Sequence, residues 1–288
     1  MKIVLSPQKM LQVDGTRLHY TDEGEGPAVV LIHGMYGSLF DYKLSIFDEL
    51  KRHLRVVAID MPGHGFSERP RPRMTLGDHA KYLHEALKSL GVKKPVLVGH
   101  SWGGALVLRY TLEYPSEVAG LVSLSAYVKP YHVAAPLYHL SSAPVAGELF
   151  SRFIVQPLGR LLPPSFFLGE PFFPDKVPAI YADNLLPIAL RTSDFRASAQ
   201  EAKSLGRDLI WMGERYGNIR VPVTIVTGDS DLVTPPKQNA HVLQRAIPHA
   251  RLVTLERTGH QPAFTKPAEV LEAIRTLVGS AERLSVLL

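Results

Sequence analysis

The chain has 288 residues, 45% of them hydrophobic and 20% charged, a formal net charge of +5 and no cysteine. That length and composition exclude a disordered chain and suit one large domain or a domain carrying an insertion. The lack of cysteine excludes disulfides, thiolate metal sites and a cysteine nucleophile.

The elements alternate from the start. Leu11–Val13 and Arg17–Thr21 flank Asp14-Gly15, a hairpin signal. Ala28–His33 is a continuous apolar run, as expected of a strand covered on both faces, and Arg55–Asp60 and Pro95–Gly99 have the same look. Thr75 can cap a helix in which Leu76, Leu83, Leu87 and Leu90 share a face and Gly91 supplies the stop. Trp102–Tyr114 reads as a helix ended before Pro115. Val118–Leu124, Val221–Thr227 and Arg251–Leu255 read as strands. Pro235–Ala246 and Pro267–Val278 read as helices opened by proline. Strands alternating with helices imply a mostly parallel sheet covered on both faces, an α/β fold. Tyr127–Tyr216 breaks this rhythm. It is rich in proline and aromatics, with Phe166-Phe167 and Pro171-Phe172-Phe173-Pro174, and reads as a mainly helical insertion whose aromatics either simply pack against the main domain or form an apolar underside that lines a pocket.

Gly99-His100-Ser101-Trp102-Gly103 matches the G-x-S-x-G nucleophile elbow and sits between a strand and a helix. A serine on so sharp a turn is forced outward, and the glycines remove Cβ atoms where the turn crowds its neighbours. A hydroxyl needs a base to become a nucleophile. His260 lies in the loop after the last strand, where a side chain can lean over the sheet edge. His33 and His64 are better read as loop-shaping. The base needs an orienting carboxylate, and Gly228-Asp229-Ser230-Asp231 brings two candidates to the same edge, directly after a strand. A developing oxyanion needs backbone donors. Trp102 N–H follows the serine, and Met35 N–H follows the turn at His33-Gly34.

These pieces together resemble the α/β-hydrolase family: His33-Gly34-Met35, Asp60-Met61-Pro62-Gly63-His64-Gly65-Phe66-Ser67, Gly99 to Gly104, Gly228-Asp229-Ser230-Asp231 with Pro235, and Gly259-His260. The resemblance runs over nearly the whole chain. It implies an eight-stranded, mostly parallel sheet with a lid inserted after the sixth strand, so that residues 1–126 and 217–288 form the core and 127–216 the cap. It also selects Asp231 over Asp229. Relatives that open epoxides or displace halide carry aspartate at the elbow. Ser101 favours acyl transfer instead, with Ser101 as nucleophile, His260 as base and Asp231 as orienting acid.

The expected activity is hydrolysis of small to medium apolar carboxylic esters. Hydrolysis of a lactone or a C–C bond, perhydrolase or haloperoxidase chemistry on the same triad, and a non-catalytic binding module are the alternatives. No cofactor or metal is expected, because the histidines lack ligand spacing. The basic clusters at Lys51-Arg52-His53, Arg69 to Arg73 and Lys93-Lys94 are short and scattered, which reads as solvated loops and helix ends rather than a nucleic-acid surface. No apolar stretch approaches the ~20 residues of a membrane span, and the N-terminal run is too short for a signal peptide, so the expectation is a cytoplasmic protein.

Overall fold

The apolar runs form strands because both of their faces are covered, and their side chains divide by parity. In the computed structural model, which describes residues 5, 9–130 and 140–287 (side chains through Arg283), an eight-stranded sheet runs through the molecule. The strands are β1 (Lys9–Val13), β2 (Thr16–Glu23), β3 (Ala28–Ile32), β4 (Arg55–Ile59), β5 (Val96–His100), β6 (Gly120–Leu124), β7 (Val223–Gly228) and β8 (Arg251–Leu255). Val30, Ile32, Val57, Ile59 and Leu97 join one core with the helices Leu76–Ser89, Trp102–Glu113 and Ala240–Ala246. Val29, Leu31, Val56, Ala58 and Val98 join the other, with Phe47, Leu50, Ile274 and Leu277. Each fully buried Val, Leu or Ile contributes about 1.5–3 kcal/mol, so the two cores together outweigh any single polar contact.

The order across the sheet is β1-β2-β4-β3-β5-β6-β7-β8. β2 pairs antiparallel with β1 and β4, and all other pairs are parallel. The β1–β2 hairpin turns on Asp14 (φ +45°) and Gly15 (φ +76°), the two left-handed residues that a tight two-residue connection needs. The chain passes from β3 outward to β4 and then back across to β5. Loops leaving β3 and β5 therefore diverge and open a crevice at the carboxyl ends of the strands. That crevice holds the site.

Thr75 caps its helix as expected, in a reciprocal capping box with Asp78. Two helix boundaries differ from expectation. The helix expected from Pro235 begins at Ala240, because Pro235 and Pro236 build a turn whose carbonyls take the N–H groups of Gln238, Asn239 and His241. The helix expected to stop at Val278 continues to Leu287 without a breaker. Between β6 and β7 every regular element among the described residues is helical, the longest being Thr192–Gly213. No helix of the described residues is long and apolar enough to cross a membrane.

The Thr192–Gly213 helix packs on the sheet domain through a polar stripe at helical spacing. Asp194 Oδ1 accepts from Gly65 N–H (2.7 Å), Ser198 Oγ from Tyr36 N–H (2.8 Å), and Asp208 Oδ2 from Leu76 N–H (3.0 Å). Glu201, buried at the centre of the stripe, lies 2.8 Å from His64 Nε2, 3.2 Å from His79 Nε2 and 3.1 Å from Arg69. Burial pushes the Glu201 carboxyl up, but the charge and hydrogen bonds of the two imidazoles overcome this and hold it well below the usual carboxylate range. Arg69 is therefore part of a buried ion network rather than a solvated loop cation, a correction to the reading of its cluster. Its neighbour Arg71 is more exposed and pairs with Asp78.

Asp60, at the end of β4, ties three segments together. Oδ1 accepts from Leu39 N–H (2.6 Å), and Oδ2 accepts from Phe66 N–H (2.8 Å) and from His19 Nδ1 (2.6 Å). Gly65 must be glycine here, since its φ is +56° and a Cβ would lie 1.8 Å from Asp60 Oδ2. Replacing Asp60 with Ala orphans these donors, each at a cost of about 1–3 kcal/mol when buried. Urea denaturation of Asp60→Ala is expected to show a loss of about 3 kcal/mol or more, and a loss within a few tenths would refute the tie.

Candidate active site

The elbow starts from β5. Its last residues lead into Ser101, which takes φ +56°, ψ −117°, before the helix Trp102–Glu113 begins. Such a conformation is disfavoured for an L side chain. It is held by Ser101 N–H donating to Leu124 O (2.9 Å) and by Ser101 O accepting from Ala105 N–H (3.2 Å) and Tyr127 N–H (3.3 Å). The glycines of the motif are needed for space. A Cβ on Gly99 would lie 2.2 Å from Gly103 O, and one on Gly103 would lie 2.3 Å from His33 O.

His260 arrives from the loop after β8. Its Nε2 lies 2.8 Å from Ser101 Oγ, and its Nδ1 lies 2.9 Å from Asp231 Oδ2. Ser101, Asp231 and His260 are all buried. Asp231 sits at the end of β7 in a turn whose own amides serve it: Oδ1 accepts from Val233 N–H (2.9 Å) and Thr234 N–H (2.8 Å). The Thr234 hydroxyl stands 2.8 Å from Oδ2 and 3.2 Å from His260 Nδ1. Burial pushes this carboxyl up, but the charge and hydrogen bond of His260, together with the Thr234 donors, hold it well below the usual carboxylate range. An ionised carboxylate can only accept, so Nδ1 carries the proton toward it. In the neutral ring Nε2 is then left to accept from the Ser101 hydroxyl.

Asp229 goes elsewhere. It is exposed, and its Oδ1 accepts from Ser230 Oγ (2.8 Å) and Thr258 N–H (3.3 Å), as a turn aspartate does. His33 shapes loops, as read from the sequence, whereas the His64 imidazole reaches across to Glu201 of the Thr192–Gly213 helix. His33 Nδ1–H donates to Gly34 O (2.7 Å) and Nε2 accepts from Met61 N–H (3.1 Å). Burial, with the charge of His64, pushes the His33 imidazole down to about 4, which keeps the ring neutral for this two-sided role.

Of the two expected oxyanion donors, Trp102 directly follows Ser101 and Met35 directly follows Gly34, which lies against Ser101. Trp102 is the first residue of its helix, and its N–H has no partner within the helix. Met35 lies in the turn after β3, where a Cβ on Gly34 would be 3.1 Å from Ser101 Cβ. Among the described residues neither N–H donates a hydrogen bond.

Two neighbours carry no signal strong enough to be found from the sequence. His100 Nε2–H donates to His260 O (2.7 Å), and burial followed by the charge of His260 pushes the His100 imidazole down to about 3. Pro171 O, from the helical insertion, accepts from His260 N–H (2.9 Å). Thr234 was within reach, as a hydroxyl three residues after an aspartate and before a proline. Among the aromatics expected over the site, Phe166 and Phe173 are exposed, while Phe172 is buried against Tyr181 and Phe264.

The family model for the alpha/beta hydrolase fold matches residues 27–267. The chain belongs to the α/β-hydrolase family. Bifunctional epoxide hydrolase 2 of Sus scrofa is 29% identical over 92% of this chain and 54% of its own length. Two solved α/β-hydrolase structures share the fold. The enol-lactonase of Burkholderia xenovorans is 20% identical with a TM-score of 0.79, covering 94% of this chain and 100% of that one. A thermophilic esterase of Thermogutta terrifontis is 22% identical with a TM-score of 0.75, covering 95% and 99%.

The depressed Asp231 carboxyl has a pH signature. Its folded value lies below the ~3.9 of an unfolded aspartate, so its stabilisation is complete above that value and is lost as pH falls through the folded one. Asparagine does not titrate. The Tm advantage of wild type over Asp231→Asn, followed by calorimetry, is expected to shrink as pH drops from 6 to 3, and a constant gap would contradict the assignment.

Proposed function

We propose that this α/β-hydrolase is a serine hydrolase of small to medium apolar carboxylic esters, working through an acyl-enzyme. The observation that carries the reading is the unbroken chain Ser101 Oγ–His260–Asp231, with links of 2.8 and 2.9 Å. Ser101 Oγ attacks the ester carbonyl carbon while His260 Nε2 takes the hydroxyl proton. Asp231 holds the ring's tautomer and offsets the imidazolium charge. The carbonyl oxygen becomes an oxyanion, bound in this reading by the N–H groups of Met35, in the turn after β3, and Trp102, at the start of a helix. The tetrahedral centre collapses, the alcohol leaves with the proton from Nε2, and an acyl group remains on Oγ. Water, deprotonated by the same nitrogen, then attacks the acyl carbon and releases the acid, returning the proton to Ser101.

Residues 127–216 act in this reading as a cap on a core of 1–126 and 217–288. The contact of Pro171 O with His260 N–H supports that placement. The epoxide hydrolase likeness does not carry over to the reaction. Opening an epoxide through a covalent intermediate needs a carboxylate that forms an alkyl ester, and residue 101 is a serine.

The test is hydrolysis of p-nitrophenyl acetate and butyrate. Ser101→Ala is expected to lower kcat by at least about 10³-fold with the fold intact by circular dichroism. A serine-directed fluorophosphonate should label Ser101 in wild type and react far more slowly in His260→Ala. Turnover in Ser101→Ala within a few-fold of wild type would overturn the proposal.

A further inference from the structure

Met35 belongs to a tight turn, Gly34 to Gly37, closed by Gly37 N–H donating to Gly34 O (3.1 Å). Tyr36, its third residue, has φ +61°. Glycine or asparagine normally fills such a place, and a bulky L residue is disfavoured there. Two side chains hold Tyr36 in that conformation. Ser198 Oγ accepts from Tyr36 N–H at 2.8 Å, and the Phe195 ring lies 5.4 Å from the tyrosine ring. Both come from a single turn of the Thr192–Gly213 helix, and Ser198 is fully buried.

We infer that Ser198 is a positioning residue for the oxyanion loop: its hydroxyl fixes the peptide plane between Met35 and Tyr36 and so aims the Met35 N–H. This rests on the serine-hydrolase reading above. The geometric reason is an asymmetry between the two donors. The Trp102 N–H is set by the first turn of a 12-residue helix, whereas the Met35 N–H is set by a four-residue turn held in a disfavoured conformation. Rotation of the 35–36 peptide changes the turn on which Met35 depends. Ser198 opposes that rotation from 162 residues further along the chain. It touches no reacting atom. Its effect passes through the Tyr36 amide alone, so the helical insertion contributes to transition-state binding as well as to covering the site.

The distinguishing variant is Ser198→Ala, which removes the acceptor without adding bulk. Ser204→Ala is the control, because Ser204 lies on the same helix and its hydroxyl donates to Met74 O, away from the site. With p-nitrophenyl butyrate, Ser198→Ala is expected to lower kcat about tenfold while KM stays within twofold, a loss confined to the transition state. Ser204→Ala should keep the wild-type kcat. Hydrogen exchange should show faster exchange at residues 35–36 in Ser198→Ala and unchanged protection of β3 and β5. An unchanged kcat, a loss expressed in KM alone, or unaltered exchange at 35–36 would overturn the inference. Wild-type protein without Ser101-dependent turnover would instead overturn the hydrolase reading. The exchange measurement reads the Ser198 tie independently of turnover.

Discussion

The turn at Ser101 is the constraint on which the rest of this structure depends. A strand must reverse into a helix within one residue, and the residue at the reversal must keep a hydroxyl while sitting at φ +56°. Backbone crowding of this kind is tolerated only when the neighbours yield every spare atom. Gly99 and Gly103 do so, and carbonyl oxygens occupy the positions their Cβ atoms would fill. The β3 loop can then approach closely enough for Gly34 to sit against Ser101. Everything else at the crevice is arranged around a hydroxyl whose position is fixed before any partner reaches it.

Electrostatics completes what sterics begins. Several imidazoles crowd the crevice and the core beneath it, and their neighbours decide which carry charge. His33 and His100 are pushed down by burial and remain neutral; His33 is hydrogen-bonded through both ring nitrogens, and His100 donates to His260 O. His64 is raised, because Glu201 outweighs its burial. His260 joins a serine hydroxyl to a buried carboxylate. Burial by itself would raise the Asp231 carboxyl, so the donors around it are what keep it ionised.

Much of this was legible in the sequence for definite reasons. The central strands could be read because runs such as Val29-Val30-Leu31-Ile32 are apolar on both faces, and the elbow could be read because its glycines stand between a strand and a helix. Asp229 and Asp231 could not be separated by residue type, since each can close a turn. The family resemblance selects Asp231, and its physical ground is Val233 and Thr234, whose amides point at that carboxylate. The Thr192–Gly213 helix was the hardest part. Its buried Asp194, Ser198, Glu201 and Asp208 resemble a solvent face, because polarity in sequence says nothing about whether partners wait across an interface. Arg69 was misjudged for the same reason: its counter-charge lies 132 residues away.

The contact beneath Gly259 limits how this chain could be rebuilt. A Cβ there would lie 2.1 Å from Phe173 O, and the next amide, that of His260, donates to Pro171 O. This segment of the insertion is thus docked by its main chain directly behind the imidazole, unlike the Thr192–Gly213 helix, which docks through its side chains. Within 164–174 the exposed Phe166 and Phe173 can diverge as long as the path of the polypeptide is kept, whereas Phe172 is buried against Tyr181 and Phe264. Rebuilding this part of the chain therefore demands that the path of the polypeptide behind the imidazole be matched before any side chain is chosen.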